Sequence, residues 1–228
     1  MPQSRGIIPV ASLDPLDRIG WLARQAPEFR AWCAENGRWR RFAAGEAIYI
    51  AGDEPDCMYG LGAGALEISF ALLSDEAVTL HRAEPGFWIG EAALMAGATR
   101  LVGLSAALDS RVFHIPIGPL RELLEREPAS WRILYEQSLD NLSVALTLLA
   151  ESLSLTTRAR LARLLLRLAD GDGRVQGNQD EFGRLIGMTR SSVRRALASL
   201  VEAGCVRTGC CTLEVVDSEA LKVITRES

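Results

Sequence analysis

Residues 178–204 have the sequence NQDEFGRLIGMTRSSVRRALASLVEAG, which has the pattern of a helix-turn-helix. Apolar residues recur at helical spacing on both sides of the turn: Phe182, Leu185 and Ile186 before it, and Val193, Leu197 and Leu200 after it. Gly187 supplies the turn, because glycine enters the left-handed backbone region without steric cost. Thr189 is a favourable N-cap for the second helix. The segment therefore predicts two short helices, with Gly183 at their closest approach.

The second helix leaves a basic face opposite its apolar stripe. We expect the residues that contact DNA to be Asn178, Thr189, Arg190, Ser191, Arg194 and Arg195. An arginine near the start of such a helix can donate two hydrogen bonds to guanine O6 and N7 in the major groove. The alternative is an ordinary pair of surface helices with a solvated arginine face. The glycine turn, the cap and the spacing coincide, which favours the DNA-binding interpretation.

The charge of the chain is unevenly distributed. The 228 residues have a formal net charge of −4, which by itself argues against a nucleic-acid binder. However, residues up to Leu155 carry a net charge of −7 and those from Thr156 a net charge of +3. An acidic front part and a basic back part are typical of a sensor joined to a DNA reader.

Nothing in the sequence indicates export or membrane insertion. The first ten residues, MPQSRGIIPV, lack the apolar core of a signal peptide, and no apolar run approaches the ~20 residues that cross a bilayer. The five cysteines form no CxxC pair: Cys33, Cys57, Cys205, Cys210 and Cys211. We expect a cytoplasmic protein with reduced thiols.

The first half of the chain predicts two helices followed by a sheet-rich domain. The helical pieces cover residues 17–25 and 27–35. Short segments broken by glycine then predict strands at residues 39–42, 47–50, 58–61, 65–71, 78–82, 101–106 and 112–115. Short strands at regular spacing indicate an antiparallel barrel or roll. Residues 90–95, GEAALM, are rich in helix formers and predict one or two helical turns.

A long helix is predicted at residues 119–155, with a break near Pro128. It carries apolar residues spaced 4, 3, 4, 3 and 4 apart: Tyr135, Leu139, Leu142, Leu146, Leu149 and Leu153. This is the a/d pattern of a coiled coil, although a helix packed on its own domain is an alternative. We favour a homodimer seam, because a helix-turn-helix reader usually needs two copies for two half-sites.

The C-terminal part completes a winged helix-turn-helix. Residues 156–169 predict an amphipathic helix, and residues 205–208 and 213–216 predict the two strands of a wing. The fold class is therefore α+β. We expect four parts: a helical lead-in, a β-roll sensor, a linker with the dimerisation helix, and a DNA-binding domain. Their ranges are 1–37, 38–118, 119–155 and 156–228.

This order of elements resembles the Crp/Fnr family of bacterial transcription factors, named after the cyclic AMP receptor and the fumarate–nitrate reduction regulator. The most specific matches are residues 85–91 (PGFWIGE) with Arg100, and residues 181–193. The resemblance implies a homodimer on a palindromic double-stranded DNA operator. It also implies an effector in a double-stranded, cyclic-nucleotide-binding-like β-roll, and RNA polymerase as a partner.

The resemblance also identifies an effector cradle and its departures. In cyclic-nucleotide-binding members a Gly-Glu turn and an arginine hold the ligand, and Gly90, Glu91 and Arg100 match them. Leu101 replaces a serine or threonine there. Ala145 and Leu146 stand where a polar pair meets adenine, and neither side chain can form a hydrogen bond. We expect that cyclic AMP is not the effector.

Three interpretations of this cradle are open: a site for a small anionic effector, a pocket filled by the protein's own side chains, and a structural Glu91–Arg100 ion pair. On the recognition helix, Ser191 replaces the family's glutamate. Arg190 and Arg195 match positions that read guanine in cyclic AMP receptors.

Metal binding and catalysis have little support in the sequence. The two histidines, His81 and His114, cannot form a histidine cluster. A haem ligand at His81 is an alternative, but a structural role is favoured because the nearby cysteine of the family's haem motif is absent. We expect no metal, no certain cofactor and no catalytic residues. The rival function is a cyclic-nucleotide-binding or protein-interaction module without DNA binding, but four arginines between Arg184 and Arg195 argue against it.

Overall fold

The computed structural model describes residues 11–71, 77–209 and 212–227. The chain falls into two compact units that divide inside one long helix, between Leu142 and Ser143. The predicted wing-turn residues Cys210 and Cys211 and the first ten residues lie outside the described residues. No helix in the described ranges is long and apolar enough to cross a membrane.

The first unit begins with two helices, α1 (Gly20–Ala23) and α2 (Pro27–Asn36). The predicted helix at residues 17–25 was wrong in extent, because only four of its residues are helical. Turns precede α1 and place Leu16 in the core, and the Trp21 ring packs 5.3 Å from that of Trp88. Tertiary burial therefore decides the local backbone here.

A β-roll of two four-stranded antiparallel sheets follows. Its strands are β1 (Arg38–Phe42), β2 (Ala47–Tyr49), β3 (Cys57–Ala63), β4 (Leu66–Ala71), β5 (Ala77–Ala83), β6 (Trp88–Ile89), β7 (Gly103–Ala106) and β8 (Ser110–Pro116). The sheets have the orders β1-β8-β3-β6 and β2-β7-β4-β5. The seven predicted strands are confirmed, and β6 was missed because two residues give no alternating pattern. The predicted helical turn is α3 (Glu91–Ala96).

Two apolar clusters hold the first unit together. One fills the roll between the two sheets and includes Leu61, Leu104 and Val112. The other lies under the helices, where Trp21 and Trp88 pack with residues of α2 and β8. This second cluster positions the turn before α3, because Trp88 is 1% exposed within it.

Three helical elements follow the roll: α4 (Ile117–Arg126), a 3₁₀ turn (Pro128–Ser130) and α5 (Trp131–Ser154). The predicted break near Pro128 is confirmed. Only Leu134 and Gln137 are buried along the 24 residues of α5. The six residues of the predicted seam are 44–78% exposed. In the part of the chain that the structure describes, this stripe therefore does not pack on its own domain.

The second unit contains the predicted winged helix-turn-helix. Its elements are α6 (Thr157–Leu168), β9 (Arg174–Val175), α7 (Gln179–Ile186), α8 (Arg190–Glu202), β10 (Val206–Thr208), β11 (Leu213–Val215) and α9 (Ser218–Ile224). The three strands pair antiparallel in the order β10-β11-β9. β9 and α9 were not predicted. One core joins α6, α7, α8 and α9. Five of its residues are 0% exposed: Leu165, Phe182, Val193, Leu200 and Leu221.

Candidate DNA interface and effector cradle

The turn between α7 and α8 has the geometry that the sequence predicts. Gly187 ends α7 in the left-handed region at φ +62°. A Cβ added to Gly183 would lie 2.6 Å from the carbonyl oxygen of Met188 and 3.7 Å from Val193 Cγ2. Gly183 therefore lets the turn and α8 approach the back of α7 closely.

The polar residues at the two helix starts are caps. Asn178 Oδ1 accepts hydrogen bonds from the backbone N–H groups of Asp180 and Glu181, each at 3.0 Å. Thr189 Oγ1 accepts from the backbone N–H of Ser192 at 3.3 Å. Side chains that satisfy the free N–H groups of a helix start stabilise that start. Asn178 and Thr189 thus stabilise the starts of α7 and α8.

The basic face of α8 is exposed as predicted. Val193, Leu197 and Leu200 point into the core, and the four polar residues proposed to meet DNA bases are all exposed: Arg190, Ser191, Arg194 and Arg195. Arg190 Nη1 lies 3.2 Å from Asp180 Oδ2 at the start of α7. Because this ion pair is exposed on both sides, it restrains Arg190 only weakly. A guanidinium on this face can therefore turn towards a base edge.

The turn before α3 contains the residues that the sequence predicts as an effector cradle. Gly90, at φ +115°, is the N-cap of α3. A Cβ on Gly90 would lie 2.7 Å from Arg100 Nη1 and 2.9 Å from the carbonyl oxygen of Cys57. Only glycine fits this position, and Arg100 Nη1 lies directly beside it.

Arg100 is buried and is held by groups of the protein. Its side chain is 2% exposed. Nη1 donates to the carbonyl oxygen of Gly90 at 3.2 Å, and Nη2 donates to Asp56 Oδ1 at 3.0 Å and to the carbonyl oxygen of Cys57 at 2.5 Å. The guanidinium carbon lies 4.3 Å from the ring centre of Tyr49 and 5.5 Å from that of Tyr59. Two rings and one carboxylate therefore surround the cation.

Asp56 is the acidic residue of this cluster, and no sequence pattern indicates its role. Tyr59 Oη donates to both of its carboxylate oxygens, at 2.9 Å and 3.1 Å. Partial burial would raise the pKa of Asp56, but the hydrogen bonds from Tyr59 and Arg100 outweigh it and hold the pKa below its ordinary value. Asp56 is therefore a carboxylate at neutral pH. Only the fold reveals its role, because 44 residues separate it from Arg100.

Glu91 turns away from Arg100 and towards α5. Its Oε1 accepts from Ser138 Oγ at 3.0 Å and from Asn141 Nδ2 at 3.1 Å. The residue is 2% exposed, and within the described residues Oε2 has no hydrogen-bond partner. Burial raises the pKa of this carboxyl, and hydrogen bonds offset the effect only in part. The alternative of a structural Glu91–Arg100 ion pair was wrong, because Arg100 pairs with Asp56 instead.

Further hydrogen bonds join the turn before α3 to α5. Gln137 Nε2 donates to the carbonyl oxygen of Trp88 at 2.7 Å, and Asn141 Nδ2 donates to the same oxygen at 3.1 Å. The first half of α5 is therefore attached to this turn through three polar side chains, the third being Ser138. None of the three was predicted from the sequence, because polar residues on an amphipathic helix are ordinarily solvent-exposed.

The remaining predicted effector residues are Leu101, Ala145 and Leu146. The Leu101 side chain is 75% exposed, so it does not add bulk beside Arg100. Ala145 and Leu146 are exposed on α5, and Leu146 also belongs to the apolar stripe. Neither side chain can donate or accept a hydrogen bond. None of the three can therefore supply the polar contacts that a nucleotide would need.

The two histidines lie in strands of the roll, His81 in β5 and His114 in β8. No group of three or more metal-ligating side chains occurs within residues 11–71, 77–209 and 212–227. The ring of His81 lies 5.7 Å from that of Phe87. His114 is buried in β8, and burial together with Arg40 and Arg38 lowers its pKa. A neutral, packed imidazole fits a structural role at this position.

Comparison with known proteins identifies the family. Residues 39–127 match the family model of the cyclic nucleotide-binding domain, and residues 159–224 match that of the Crp-like helix-turn-helix domain. The two matches together cover more than half of the chain. The chain belongs to the CRP/FNR family of transcriptional regulators. It is a DNA-binding regulator, and the alternative of a module without DNA binding is not supported.

Relatives in this family match most of the chain. The transcriptional regulator SdrP of Thermus thermophilus is 26% identical over 191 residues, which are 79% of this chain and 91% of SdrP. The cyclic AMP receptor protein of the same organism is 28% identical over 190 residues, 81% of this chain and 87% of that protein. The structure of FixK2 from Bradyrhizobium japonicum has a TM-score of 0.73 at 21% identity, covering 84% of this chain and 98% of FixK2. This last likeness shows the shared fold.

Proposed function

We propose that the protein acts as a homodimer that binds a palindromic operator through α8 of each copy. The observation that carries the proposal is the exposed apolar stripe of α5. Burying a leucine stabilises a protein by about 1.5–3 kcal/mol relative to leaving it exposed. Five leucines and Tyr135 in one a/d stripe therefore favour a second copy of the same helix across the seam.

The DNA-reading face supports a specific mode of binding. Two copies of α8 related by a two-fold axis would enter successive major grooves, with half-sites about 10 base pairs apart. Arg190 and Arg195 are proposed to donate to guanine, and Ser191 and Arg194 to complete the contact. The net charge of +3 from Thr156 onward favours the approach of this domain to the phosphate backbone.

The functional division of the chain follows from this mode of action. We assign residues 1–37 to a helical lead-in, 38–118 to the roll, 119–155 to the linker and dimerisation helix, and 156–228 to the reader. A regulator of this family acts at the chromosome, so we place it in the cytoplasm. We infer by family resemblance that it also contacts RNA polymerase.

Cyclic AMP does not fit the cradle as the effector. Arg100 already has a carboxylate partner, and Glu91 accepts from α5. An adenine amino group facing Ala145 and Leu146 would lose its water without gaining a partner, which costs about 1–3 kcal/mol. Calorimetry with cyclic AMP and cyclic GMP tests this directly. Micromolar binding of cyclic AMP that also tightens operator affinity would contradict it.

Enrichment of a random double-stranded DNA pool on the purified protein tests operator binding and the dimer together. We expect a palindrome with guanine in each half-site. A single, non-repeated half-site would show that one copy reads DNA alone, and no enrichment at all would reject the proposed mode of binding.

A further inference from the structure

The roll supplies a carboxylate of its own to the buried cation Arg100, at the place where an anion from solution would bind. Asp56 lies immediately before β3 and contacts Arg100 Nη2 at 3.0 Å. The two side chains differ sharply in burial, since that of Arg100 is 2% exposed and that of Asp56 is 64% exposed. The cation is therefore fixed inside the roll, whereas its anion approaches from the solvent side.

Both terminal nitrogens of Arg100 donate within this arrangement, whereas Nε is buried and has no hydrogen-bond partner among the described residues. Nη1 faces the carbonyl oxygen of Gly90, and Nη2 serves both Asp56 and the carbonyl oxygen of Cys57. The rings of Tyr49 and Tyr59 cover the guanidinium. An anion from solution would have to displace Asp56, because two negative charges beside one guanidinium repel each other.

Tyr59 fixes the carboxylate in this position. Its hydroxyl donates to Oδ1 at 2.9 Å and to Oδ2 at 3.1 Å, and the Tyr59 ring itself is buried. Asp56 is thus oriented by a group other than Arg100, although most of its own side chain reaches water. An exposed ion pair without such a support would be only weakly populated.

Side chains of the protein also occupy Glu91, where a hydroxyl of a ligand would otherwise bind. Its carboxylate accepts from the Ser138 hydroxyl and the Asn141 amide of α5. A hydroxyl of a small molecule would have to compete with these two donors. The cationic and the anionic group of the cradle therefore both have partners within the chain, although Arg100 Nε and Glu91 Oε2 have none among the described residues. The hydrogen bonds to Glu91 also attach α5 to the roll.

We propose that Asp56 is an internal anion that occupies the Arg100 site, so that the protein binds its operator without a small anionic effector. The proposal rests on the proposed function for its DNA readout only. Its chemical corollary is independent of DNA: removal of the Asp56 carboxylate creates a site for a small carboxylate or phosphate anion. Because Asp56 is largely exposed, its removal opens this site to solvent rather than leaving a sealed cavity.

The first experiment measures anion binding by thermal stability on the full chain. Asp56→Ala should lower the Tm in sodium chloride, and sodium acetate or inorganic phosphate at the same ionic strength should restore it. The matched control is Glu54→Ala, which removes an exposed carboxylate of the same loop. Wild type and Glu54→Ala should show only the small general stabilisation that such anions give to any protein, and Asp56→Ala should show a clearly larger one.

A second substitution assigns the rescue to the cradle. Asp56→Ala combined with Arg100→Met should lose the response to acetate and phosphate. If Asp56→Ala yields no folded protein, Asp56→Asn takes its place, because it keeps the side-chain volume. Asp56→Asn should still lower the Tm more than Glu54→Gln does. Three outcomes would overturn the proposal. Wild type could respond to the anions as strongly as Asp56→Ala does, the rescue could survive Arg100→Met, or an Asp56 variant could be as stable as its Glu54 control.

The operator experiment uses wild-type protein that has been unfolded, dialysed and refolded to remove bound small molecules. Operator affinity should then be unchanged by cyclic AMP, cyclic GMP or inorganic phosphate. A tightening of about tenfold or more by any of them would show an effector-dependent regulator and refute the proposal. Failure to bind any DNA would instead reject the proposed function, while the Tm experiments would still decide the role of Asp56.

Discussion

Leu142→Arg tests whether the exposed stripe of α5 is the dimer seam. Leu142 lies at the middle of the stripe, and its side chain is 52% exposed in the single chain. Full burial of a leucine stabilises a protein by about 1.5–3 kcal/mol. Covering the exposed half of Leu142 with the second copy therefore stabilises the dimer by roughly 1 kcal/mol for each copy. An arginine there would add an unpaired buried charge, which costs several kcal/mol.

These two effects add across the two copies of the seam. A loss of about 5 kcal/mol corresponds to a dissociation constant more than a thousandfold higher, at 1.4 kcal/mol per tenfold change. The variant should therefore sediment as a folded monomer at concentrations where wild type is a dimer. Its operator binding should also be weak, because one reader alone contacts only one half-site.

Sedimentation velocity, circular dichroism and an operator-binding titration together measure the outcome. The matched control is Thr147→Arg, which adds the same charge to α5 at an exposed position off the stripe. Thr147 makes only a local hydrogen bond, in which its hydroxyl donates to the carbonyl oxygen of Ser143. If Leu142→Arg remains a dimer with normal operator affinity, the dimer seam does not include this stripe.

Three further predictions concern the reader and the cradle. Arg190→Ala or Arg195→Ala should weaken the free energy of binding to the selected operator by ~1–3 kcal/mol, and binding to scrambled DNA by less, in binding titrations. Equal losses on both DNAs would mean that these arginines contact phosphate only. Gly183→Ala should destabilise the reader and lower operator affinity, because its Cβ would lie 2.6 Å from the Met188 carbonyl oxygen; an unchanged Tm of the reader's unfolding transition would contradict this. Because burial raises the pKa of Glu91 above its ordinary 4.5, the folded state holds this proton more tightly than the unfolded state and loses stability as pH rises through that raised pKa. Glu91→Gln should therefore flatten the dependence of Tm on pH and raise Tm at neutral pH, and an unaltered pH profile would refute this.

The local elements of the reader could be predicted because their signals are contiguous in the chain. Gly187, the Thr189 cap and the apolar spacing on either side fall within residues 178–204, and each acts on its immediate neighbours. The strands of the roll were also predictable from glycine-bounded segments. β6 and β9 were missed because each has only two residues and exists through its pairing with a distant strand.

The length of α1, in contrast, could not be predicted from local signals. Residues 17–25 have helix-forming composition, but burial of Leu16 and Trp21 against the roll restricts the regular helix to four residues. Local propensity is a weak prior that tertiary packing overrides. No pattern within that segment could have shown which of its side chains the roll would bury.

The sequence by itself determined the reader, the roll and the apolar stripe of α5, since each depends on periodicity and on residues close together in the chain. Only the tertiary structure decided what the cradle residues contact. Gly90, Glu91 and Arg100 were identified from sequence. Arg100 contacts Asp56 and Tyr59 at the start of β3, and Glu91 contacts Ser138 and Asn141 of α5, all 40 or more residues away along the chain. An ion pair or a buried hydrogen bond depends on distance in space, and a linear pattern records only distance along the chain.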